Sequence, residues 1–462
     1  MIKSDKDTIT AVGTKPGESA IGIVRISGEK AIKIAEKIFR SNSGKKVFEI
    51  ESFSMALGQI VDERGAIIDQ VILSVMRSPK SYTREDVIEI NCHGGIAPTE
   101  KVLSLCLCNG ARMAEPGEFT KRAFLNGRID LTQAEAVIEI VRAKTEQAMK
   151  IAANNLKGGL KEKIQEIRAG LLDVIIELEA AIDFTEEDLE TVSYDVLKKE
   201  IDNLFKKIRT LVEDEKRGEI VKNGVKVSIV GKPNVGKSSL LNAIARKEKA
   251  IVTHIPGTTR DAVEEILYVG GIPLILIDTA GIRKTKNIIE KIGVKRSLDY
   301  IEESDLIIVV IDGSAITTPE DMEIIGKVKY KKSILCLNKI DLAKKVDSKI
   351  FAKENGFKTA VEVSAKKGTG IPSLEIEIKK AVLGSNEIDI ENIIIINQRH
   401  KKILTDTMVI LRNALKAMGL KMSEEFPAAD LRDAYELMGE ITGETMHEEI
   451  LNGIFSKFCI GK

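Results

Sequence analysis

The sequence predicts a multidomain α/β fold: an N-terminal α+β domain, then an all-helical domain into which a phosphate-loop domain is inserted. Three observations predict it. Residues 231–239 (GKPNVGKSS) match G-x-x-x-x-G-K-[ST] between an alternating apolar strand and a segment of helical period. Short apolar runs then alternate with helical segments, which predicts a mostly parallel sheet with helices on both faces. Apolar residues recur at helical spacing on both sides of this region.

The predicted domain boundaries follow these changes of pattern. We expect the α+β domain at 1–121, the helical domain at 122–223 and 384–462, and the inserted domain at 224–383. In the first domain, 19–28, 71–76 and 87–90 are predicted strands, and 29–39 is a predicted helix. In the helical domain, 160–181, 197–217, 397–418 and 428–457 are predicted helical stretches. In the inserted domain, Gly270-Gly271 is predicted to close a hairpin.

The helical domain is predicted to start at a capping box, Thr132–Glu135. Gly158-Gly159 marks a break further on. Between them, the spacing of the apolar residues predicts one shared helical face, formed by Val137, Ile138, Val141, Ala148, Ile151 and Ala152.

Composition narrows the class of protein. The chain of 462 residues carries 70 Lys and Arg and 70 Asp and Glu, so its formal net charge is zero. No overall basic field marks a nucleic-acid binder, and any RNA contact must come from a local patch. We find neither a secretion signal nor a membrane-spanning apolar stretch, and we therefore expect a cytoplasmic protein. The five cysteines lack zinc-ligand spacing, which predicts reduced thiols.

The phosphate loop predicts the chemistry of the inserted domain. Gly231 and Gly236 allow backbone conformations that a Cβ would forbid, so successive N–H groups can turn inward around phosphate oxygens. The helix that follows adds its positive end to this cradle. In such loops the lysine, here Lys237, reaches the β- and γ-phosphates, and the hydroxyl of Ser238 binds Mg²⁺. The loop also contains Asn234, Val235 and Ser239.

Two later strands end in residues suited to guanine. The first ends in N-K-x-D, formed by Asn338, Lys339 and Asp341. A carboxylate such as Asp341 accepts hydrogen bonds from N1–H and the 2-amino group of guanine. Adenine lacks that amino group and has an acceptor at N1, so it would leave the buried carboxylate unpaired. The second strand leads into Ser364-Ala365-Lys366, the S-A-K stretch that backs the guanine.

The switch stretches stand in the order that a GTPase requires. Residues 256–261 (PGTTRD) form a predicted switch loop in which Thr259 completes the Mg²⁺ shell. An apolar strand ends in Asp278-Thr279-Ala280-Gly281, the D-x-x-G that senses the metal and the γ-phosphate. Together the five stretches predict a Ras-like P-loop GTPase domain that binds GTP.

One position departs from Ras-like switches. Ile282 stands where those switches carry a glutamine that orients the attacking water, so another group must do this work. The amide oxygen of Asn234 could hold a monovalent cation beside the β- and γ-phosphates and so supply charge. The alternative is that Asn234 only shapes the loop.

Several motifs together are similar to those of one family. In the nucleotide domain they are 234–239 (NVGKSS), 257–261 (GTTRD) and 278–281 (DTAG), and the chain ends in 458–462 (FCIGK). In the N-terminal half they are 116–119 (PGEF), 122–126 (RAFLN) and 130–136 (DLTQAEA). The chain resembles, over its whole length, the tRNA-modification GTPase family MnmE (TrmE).

For the nucleotide domain, this resemblance implies dimerisation that depends on potassium and GTP. Potassium would be surrounded by Asn234, Thr253, Ile255 and Thr258, and Mg²⁺ would be bound by Ser238 and Thr259. Glu290 would orient the attacking water through a bridging water, in place of the missing glutamine. Without the resemblance, we would interpret Glu290 as an ordinary charged residue on the switch helix.

For the other domains, the resemblance implies an N-terminal domain that dimerises and binds a tetrahydrofolate derivative, in the 5-formyl or 5,10-methylene form. The positions that contact folate are Arg25, Glu89, Arg128 and Lys462; members of the family can carry lysine at the position of Arg128. Cys459 falls near the folate, where a thiolate can act as nucleophile or acid/base. The alternative for Cys459 is a packed C-terminal tail.

The implied activity requires a partner. With a flavoprotein similar to MnmG (GidA), which binds FAD, the family forms a heterotetramer. This assembly places a carboxymethylaminomethyl or aminomethyl group on C5 of the wobble uridine of certain tRNAs.

Two other hypotheses are also compatible with the nucleotide motifs. One is a regulatory GTPase that binds ribosomes or membranes, and the other is a folate-dependent aminomethyl-transfer protein whose GTPase is only a gate. The N-terminal domain and the C-I-G-K tail argue against the regulatory GTPase.

Overall fold

The fold is available as a computed structural model, which describes residues 7–143, 145–183, 193–247, 265–277, 301–384, 394, 396–446 and 448–461. The chain divides into two compact units. The first unit comprises 1–141, 155–209 and 398–462, and the second comprises 142–154 and 210–397. The second unit therefore interrupts the first in sequence, although the domain boundaries expected from the sequence stay a prediction.

The described residues form the following strands and helices, numbered in chain order. The strands are β1 (Ile9–Val12), β2 (Ser19–Ser27), β3 (Phe39–Ser41), β4 (Ser54–Val61), β5 (Ile67–Met76), β6 (Val87–Gly94), β7 (Arg112–Met113), β8 (Val225–Val230), β9 (Glu265–Val269), β10 (Ile272–Leu276), β11 (Leu306–Asp312), β12 (Ser333–Asn338) and β13 (Ala360–Glu362). The helices are α1 (Ala31–Ile38), α2 (Ile96–Cys108), α3 (Glu118–Leu125), α4 (Leu131–Arg142), α5 (Glu146–Lys157), α6 (Gly159–Asp183), α7 (Tyr194–Asn223), α8 (Lys237–Lys247), α9 (Pro319–Val328), α10 (Ser348–Glu354), α11 (Ile371–Leu383), α12 (Gln398–Gly419), α13 (Glu425–Thr442) and α14 (Glu448–Phe455).

The first unit contains a seven-stranded sheet of order β3-β4-β5-β6-β2-β1-β7. Its neighbouring strands are antiparallel except for β1 and β7, which are parallel. Successive strand residues point to opposite faces, and one face is buried against α1 and α2. The opposite face exposes the apolar side chains of Met55, Leu57 and Ile72. By the same alternation and register, this exposed face also carries Arg25 and Glu89.

The capping box of α4 lies two residues earlier than predicted. Oδ1 of Asp130 accepts a hydrogen bond from the N–H of Gln133 at 2.9 Å, and Oε1 of Gln133 accepts one from the N–H of Asp130 at 3.0 Å. This reciprocal pair is the capping box, so the box predicted at Thr132–Glu135 is wrong. Glu135 is instead a buried acid, with its Oε2 2.8 Å from Nε2 of His400.

Two helices, α4 and α5, cover 137–152, so the predicted single face is wrong. Oγ1 of Thr145 accepts a hydrogen bond from the N–H of Ala148 at 2.9 Å and so caps the second helix. Ile138 packs with α14 in the first unit, whereas Ile151 packs in the core of the second unit, so these residues do not share one buried face.

Two further helix breaks coincide with glycines in left-handed conformations. Gly158, at φ 110°, separates α5 from α6 as predicted. Gly443, at φ 87°, follows α13, so the stretch 428–457 forms two helices rather than one. The other predicted helical stretches, 160–181, 197–217 and 397–418, correspond to α6, α7 and α12.

The second unit contains a six-stranded sheet of order β13-β12-β11-β8-β10-β9. All pairs are parallel except the β9–β10 hairpin, which turns at Gly270 and Gly271 as predicted. Along β11, Ile308 packs in a cluster with α8 and α11, whereas its neighbour Val309 packs in a cluster with α9 and α10. Helices therefore cover both faces of a mostly parallel sheet, which confirms the predicted fold class.

Other sequence expectations concern membranes, metals and thiols. None of the helices in the described ranges is long and apolar enough to cross a membrane. Over the same ranges, no three His, Cys, Asp or Glu side chains are grouped to hold a metal ion. Cys92, Cys106 and Cys336 are buried free thiols, whereas Cys108 and Cys459 are exposed ones. Burial raises the pKa of Cys106 and of Cys336 to about 12.

Candidate functional site

The phosphate loop lies between β8 and α8, and its glycines are required by close contacts. A Cβ on Gly231 would lie 2.4 Å from the carbonyl oxygen of Val310, and one on Gly236 would lie 2.3 Å from Nδ2 of Asn338. Gly236 also has φ 99°, a conformation that L side chains rarely adopt. Asn234 has φ 64° and is exposed; asparagine is among the residues that tolerate this region.

Lys237 lies folded back along this loop. Its Nζ donates hydrogen bonds to the carbonyl oxygens of Gly231 at 2.5 Å and Lys232 at 2.9 Å. Burial lowers the pKa of Lys237, because desolvation disfavours the charged form. The two carbonyls compensate the ammonium group, and phosphate oxygens would compensate it more fully because they carry formal charge.

Asn338, at the end of β12, joins the phosphate loop to the S-A-K stretch. Its side chain is only 2% exposed. Nδ2 donates to the carbonyl oxygen of Val235 at 2.9 Å, and Oδ1 accepts from the N–H of Ala365 at 3.0 Å. The sequence predicts Asn338 as a nucleotide contact, but its bridging role depends on two long-range contacts that no local pattern reveals.

The two other residues of the N-K-x-D stretch are also held by specific partners. Oδ1 of Asp341 accepts a hydrogen bond from the hydroxyl of Ser364 at 2.7 Å. This bond holds the pKa of Asp341 below its usual value, so the carboxylate is ionised near neutral pH. Nζ of Lys339 lies 2.7 Å from Oδ2 of Asp312, a partner on β11 that the sequence analysis did not single out.

These stretches border one cleft of about 750 Å³, a volume within the usual range of small-molecule sites. The residues that line it include Gly236, Ser239, Asn338, Lys339, Asp341, Ala365 and Lys366. Ser238 lies exposed in the first turn of α8, one residue from Lys237. The structure thus brings together the phosphate loop and both predicted guanine stretches.

The remaining predicted residues of this domain lie outside the described residues. They are Thr253, Ile255, Thr258, Thr259, Asp278, Thr279, Ala280, Gly281 and Glu290. Lys462, predicted for the first unit, also lies outside the described residues.

In the first unit, Arg25 and Glu89 form a pair across β2 and β6. Nη2 of Arg25 lies 2.6 Å from Oε1 of Glu89, and its Nε donates to the same oxygen at 2.8 Å. Nη1 of Arg25 donates to the carbonyl oxygen of Gly461 at 3.1 Å, so the pair holds the C-terminal tail. Cys459, in that tail, has an exposed side chain, and its carbonyl oxygen accepts from the N–H of Gly117 at 3.3 Å.

Arg128 has different neighbours. Its guanidinium carbon lies 4.7 Å from the centre of the Tyr82 ring, and its Nη1 donates to the carbonyl oxygen of Tyr82 at 3.0 Å. Arg128 lines a shallow cavity of about 440 Å³ that also contains Phe53, Lys80 and Arg84. The contacts described for Arg128 do not include Arg25 or Glu89, whereas the resemblance assigns these three residues to one folate site.

Known proteins similar to this chain match it along nearly its whole length. The profile described as the MnmE helical domain matches residues 131–459, and the profile described as the N-terminus of the GTP-binding protein TrmE matches 8–128. A solved G domain of FeoB from Methanococcus jannaschii is 27% identical, covers 34% of this chain and 97% of its own, and has a TM-score of 0.26.

Full-length relatives carry a functional name. The tRNA modification GTPase MnmE of Alkaliphilus metalliredigens (strain QYMF) is 46% identical over 457 residues, which is 99% of each chain. The tRNA modification GTPase MnmE of Clostridioides difficile (strain 630) is 46% identical over 456 residues, again 99% of each chain. On these matches, this chain belongs to the MnmE (TrmE) family of tRNA modification GTPases.

Proposed function

We propose that the cleft of the second unit binds GTP and Mg²⁺, and that hydrolysis there depends on potassium. Membership of the family makes the protein a GTP hydrolase that acts in tRNA modification, and it favours this activity over a purely regulatory GTPase. The observation that carries the assignment of the cleft is the bridge made by Asn338. This buried side chain fastens the phosphate loop to the S-A-K stretch, with the carboxylate of Asp341 at the same edge.

The side chains of the cleft suit the parts of GTP. The loop residues Asn234 to Ser239 would surround the phosphates, and Lys237 would exchange its two carbonyl partners for phosphate oxygens. Asp341 would accept hydrogen bonds from guanine, with Asn338, Lys339 and the stretch Ser364–Lys366 around the base. Thr253, Thr258, Thr259 and Asp278–Gly281 complete the proposed GTP site by resemblance.

The metal sites are proposed on the same basis. The hydroxyl of Ser238, an exposed residue next to Lys237, fits the preference of Mg²⁺ for oxygen ligands, and Thr259 would be its second protein ligand. Asn234 would contribute an amide oxygen to potassium, with Thr253, Ile255 and Thr258. When bound, the two cations would offset the negative charge on the phosphates. Glu290 would orient the attacking water through a bridging water.

The potassium proposal is tested by GTP hydrolysis in potassium and in sodium buffer. Wild type is expected to be faster in potassium, and Asn234→Ala is expected to lose that difference. Asn355→Ala is the matched control, because Asn355 lies at the end of α10, outside the cleft lining, and its side chain donates to the carbonyl oxygen of Phe351 at 2.8 Å, a contact within α10. Equal rates of wild type in both salts would refute the potassium dependence.

We also propose that Arg25 and Glu89 are part of a site for a tetrahydrofolate derivative, in the 5-formyl or 5,10-methylene form. Their ion pair offers a carboxylate acceptor and guanidinium donors side by side, each side chain being 23% exposed. Such a pair fits the donor and acceptor edge of a pterin. Arg128 and Lys462 are assigned to this site by resemblance alone. The bound folate would supply the one-carbon unit.

The folate site is tested by titrating the protein with 5-formyltetrahydrofolate in a calorimeter. Glu89→Gln is expected to weaken binding about tenfold or more, because the charged acceptor is lost. Glu63→Gln, on the exposed turn between β4 and β5, is the control. Binding by Glu89→Gln that equals wild type would refute the role of Glu89.

For Cys459, we propose a chemical role in the modification. Cys459→Ser should no longer produce modified tRNA, while its rate of GTP hydrolysis should stay at the wild-type value.

The proposed assembly is a cytoplasmic homodimer that joins a MnmG-like (GidA-like) FAD protein in a heterotetramer and modifies C5 of the wobble uridine of certain tRNAs. The exposed apolar sheet face with Met55, Leu57 and Ile72 supports a dimer, because such patches are unusual on monomers. Leu57→Asp is expected to shift the sedimentation coefficient to that of a monomer. An unchanged coefficient would show that this face is not the interface.

A further inference from the structure

An ion pair with a buried carboxylate ties the phosphate loop to the start of α9. Nζ of Lys232 lies 2.8 Å from Oδ2 of Asp321 and 3.3 Å from Oγ1 of Thr318. Asp321 is 2% exposed. The same Oδ2 accepts hydrogen bonds from the N–H of Thr318 at 2.9 Å and from its hydroxyl at 2.8 Å. The carboxylate that caps α9 therefore also holds the side chain of a loop residue.

The backbone of Lys232 is used as well. Its carbonyl oxygen, with that of Gly231, accepts the hydrogen bonds from Nζ of Lys237. One residue thus connects two groups: its side chain is fixed by Asp321, and its carbonyl supports the lysine that is to bind the phosphates. A shift of the Lys232 backbone would displace one of the two carbonyl oxygens that hold Lys237.

We propose that Lys232 and Asp321 are a positioning pair, which sets the nucleotide affinity of the phosphate loop without touching the nucleotide. Binding is tighter when the loop is already ordered, because less conformational entropy is lost on association. The Lys232 side chain is 19% exposed, and an ion pair that is buried on one side contributes little to stability compared with apolar residues of similar size, so a geometric role is the better account of this pair. The inference rests on the proposed GTP site in this cleft.

The test measures affinity, turnover and stability on the same full-length variants. Lys232→Met removes the charge while keeping much of the apolar stem, and Asp321→Asn keeps an oxygen acceptor for the cap of α9. Both should raise the Kd for a fluorescent GDP analogue and the KM for GTP about tenfold, with kcat changed less than about twofold. Lys344→Met is the control: it removes an ion pair with Glu362 of 2.6 Å in the same unit, outside the cleft lining. Its Kd should equal that of wild type.

A double variant, Lys232→Met with Asp321→Asn, separates positioning from stability. It removes both charges, keeps an oxygen acceptor for the cap of α9 and should recover the Tm lost by Lys232→Met alone, because no buried charge is left unpaired. A Kd that stays raised in this variant supports positioning. A Kd that returns to the wild-type value together with the Tm would overturn it, as would single variants with unchanged Kd.

Lys237→Ala distinguishes this inference from the assignment of the site. If Lys237→Ala binds the fluorescent GDP analogue as wild type does, the proposed GTP site itself is refuted. If Lys237→Ala loses binding while Lys232→Met keeps it, only the positioning pair is refuted.

Discussion

Replacing Asn338 by alanine should weaken nucleotide binding without removing any group from the phosphate loop. The change deletes the hydrogen bonds to the carbonyl oxygen of Val235 and from the N–H of Ala365. A buried backbone group that loses its hydrogen-bond partner costs about 1 to 3 kcal/mol, and two such groups lose theirs here. Val235 is buried but Ala365 is only half-buried, which places the sum in the lower half of the range for two groups. We therefore expect a loss of about 3 kcal/mol, divided between the free energies of unfolding and of nucleotide binding. If all of it appeared in binding, affinity would fall about 100-fold.

The assay is a titration with a fluorescent GDP analogue, accompanied by thermal unfolding. A second variant, Asn338→Asp, tests the two hydrogen bonds separately. It keeps the acceptor for the N–H of Ala365, but it places a carboxylate oxygen against the carbonyl oxygen of Val235. We expect this variant to be impaired at neutral pH as well, since repulsion replaces a hydrogen bond. Asn355→Ala again serves as control. If Asn338→Ala changes neither Kd nor Tm, the bridge carries no free energy and the reasoning fails.

Three other predictions follow from described contacts. Gly236→Ala should weaken nucleotide binding in the same titration, because the added Cβ would lie 2.3 Å from Nδ2 of Asn338; unchanged binding would contradict the close contact. Asp341→Asn should lower the preference for guanosine over xanthosine triphosphate, measured as the ratio of their kcat/KM values, and an unchanged ratio would argue that Asp341 does not face the base. Contact with His400 lowers the pKa of Glu135 from 4.5 to about 2, although burial of the carboxylate acts in the opposite direction. The ionised Glu135 therefore stabilises the folded protein above about pH 4.5, and this stabilisation is lost as the pH falls toward 2. That stabilisation is about 3 kcal/mol. Glu135→Gln should therefore flatten the dependence of Tm on pH in this window, and a slope equal to that of wild type would contradict the prediction.

The parts of the fold set by local pattern were predictable from the sequence. The β9–β10 hairpin follows from two apolar runs around Gly270-Gly271, and its glycines adopt φ 55° and 82°. The cap of α4 was misassigned because Asp130 and Thr132 both suit an N-cap, and only the reciprocal bonds with Gln133 decide between them.

The contacts that join distant parts of the chain were not predictable. The apolar period continues through the gap between α4 and α5, so the period alone could not show that Thr145 starts a new helix. Some of the residues that motifs predict for the GTP site line one cleft, but the motifs do not show which contacts hold these residues together. The bridge from Asn338 to Val235 spans 103 positions in sequence, and the ion pair of Lys232 with Asp321 spans 89. Charged residues on helices and loops give no sequence signal for such partners.

The insertion of the second unit constrains the order in which the chain can complete its cores during synthesis. Leu131 and Ile138 of α4 are buried against Leu451, Phe455 and Phe458, so this cluster closes only when the last part of the chain has been made. The second unit ends at residue 397 and has all its strands before then. Because domains generally fold as units during translation, the second unit can form its sheet while the apolar face of α4 still lacks its partner. The growing chain thus lacks the C-terminal partners of this helix face for the whole time that the inserted unit is being made.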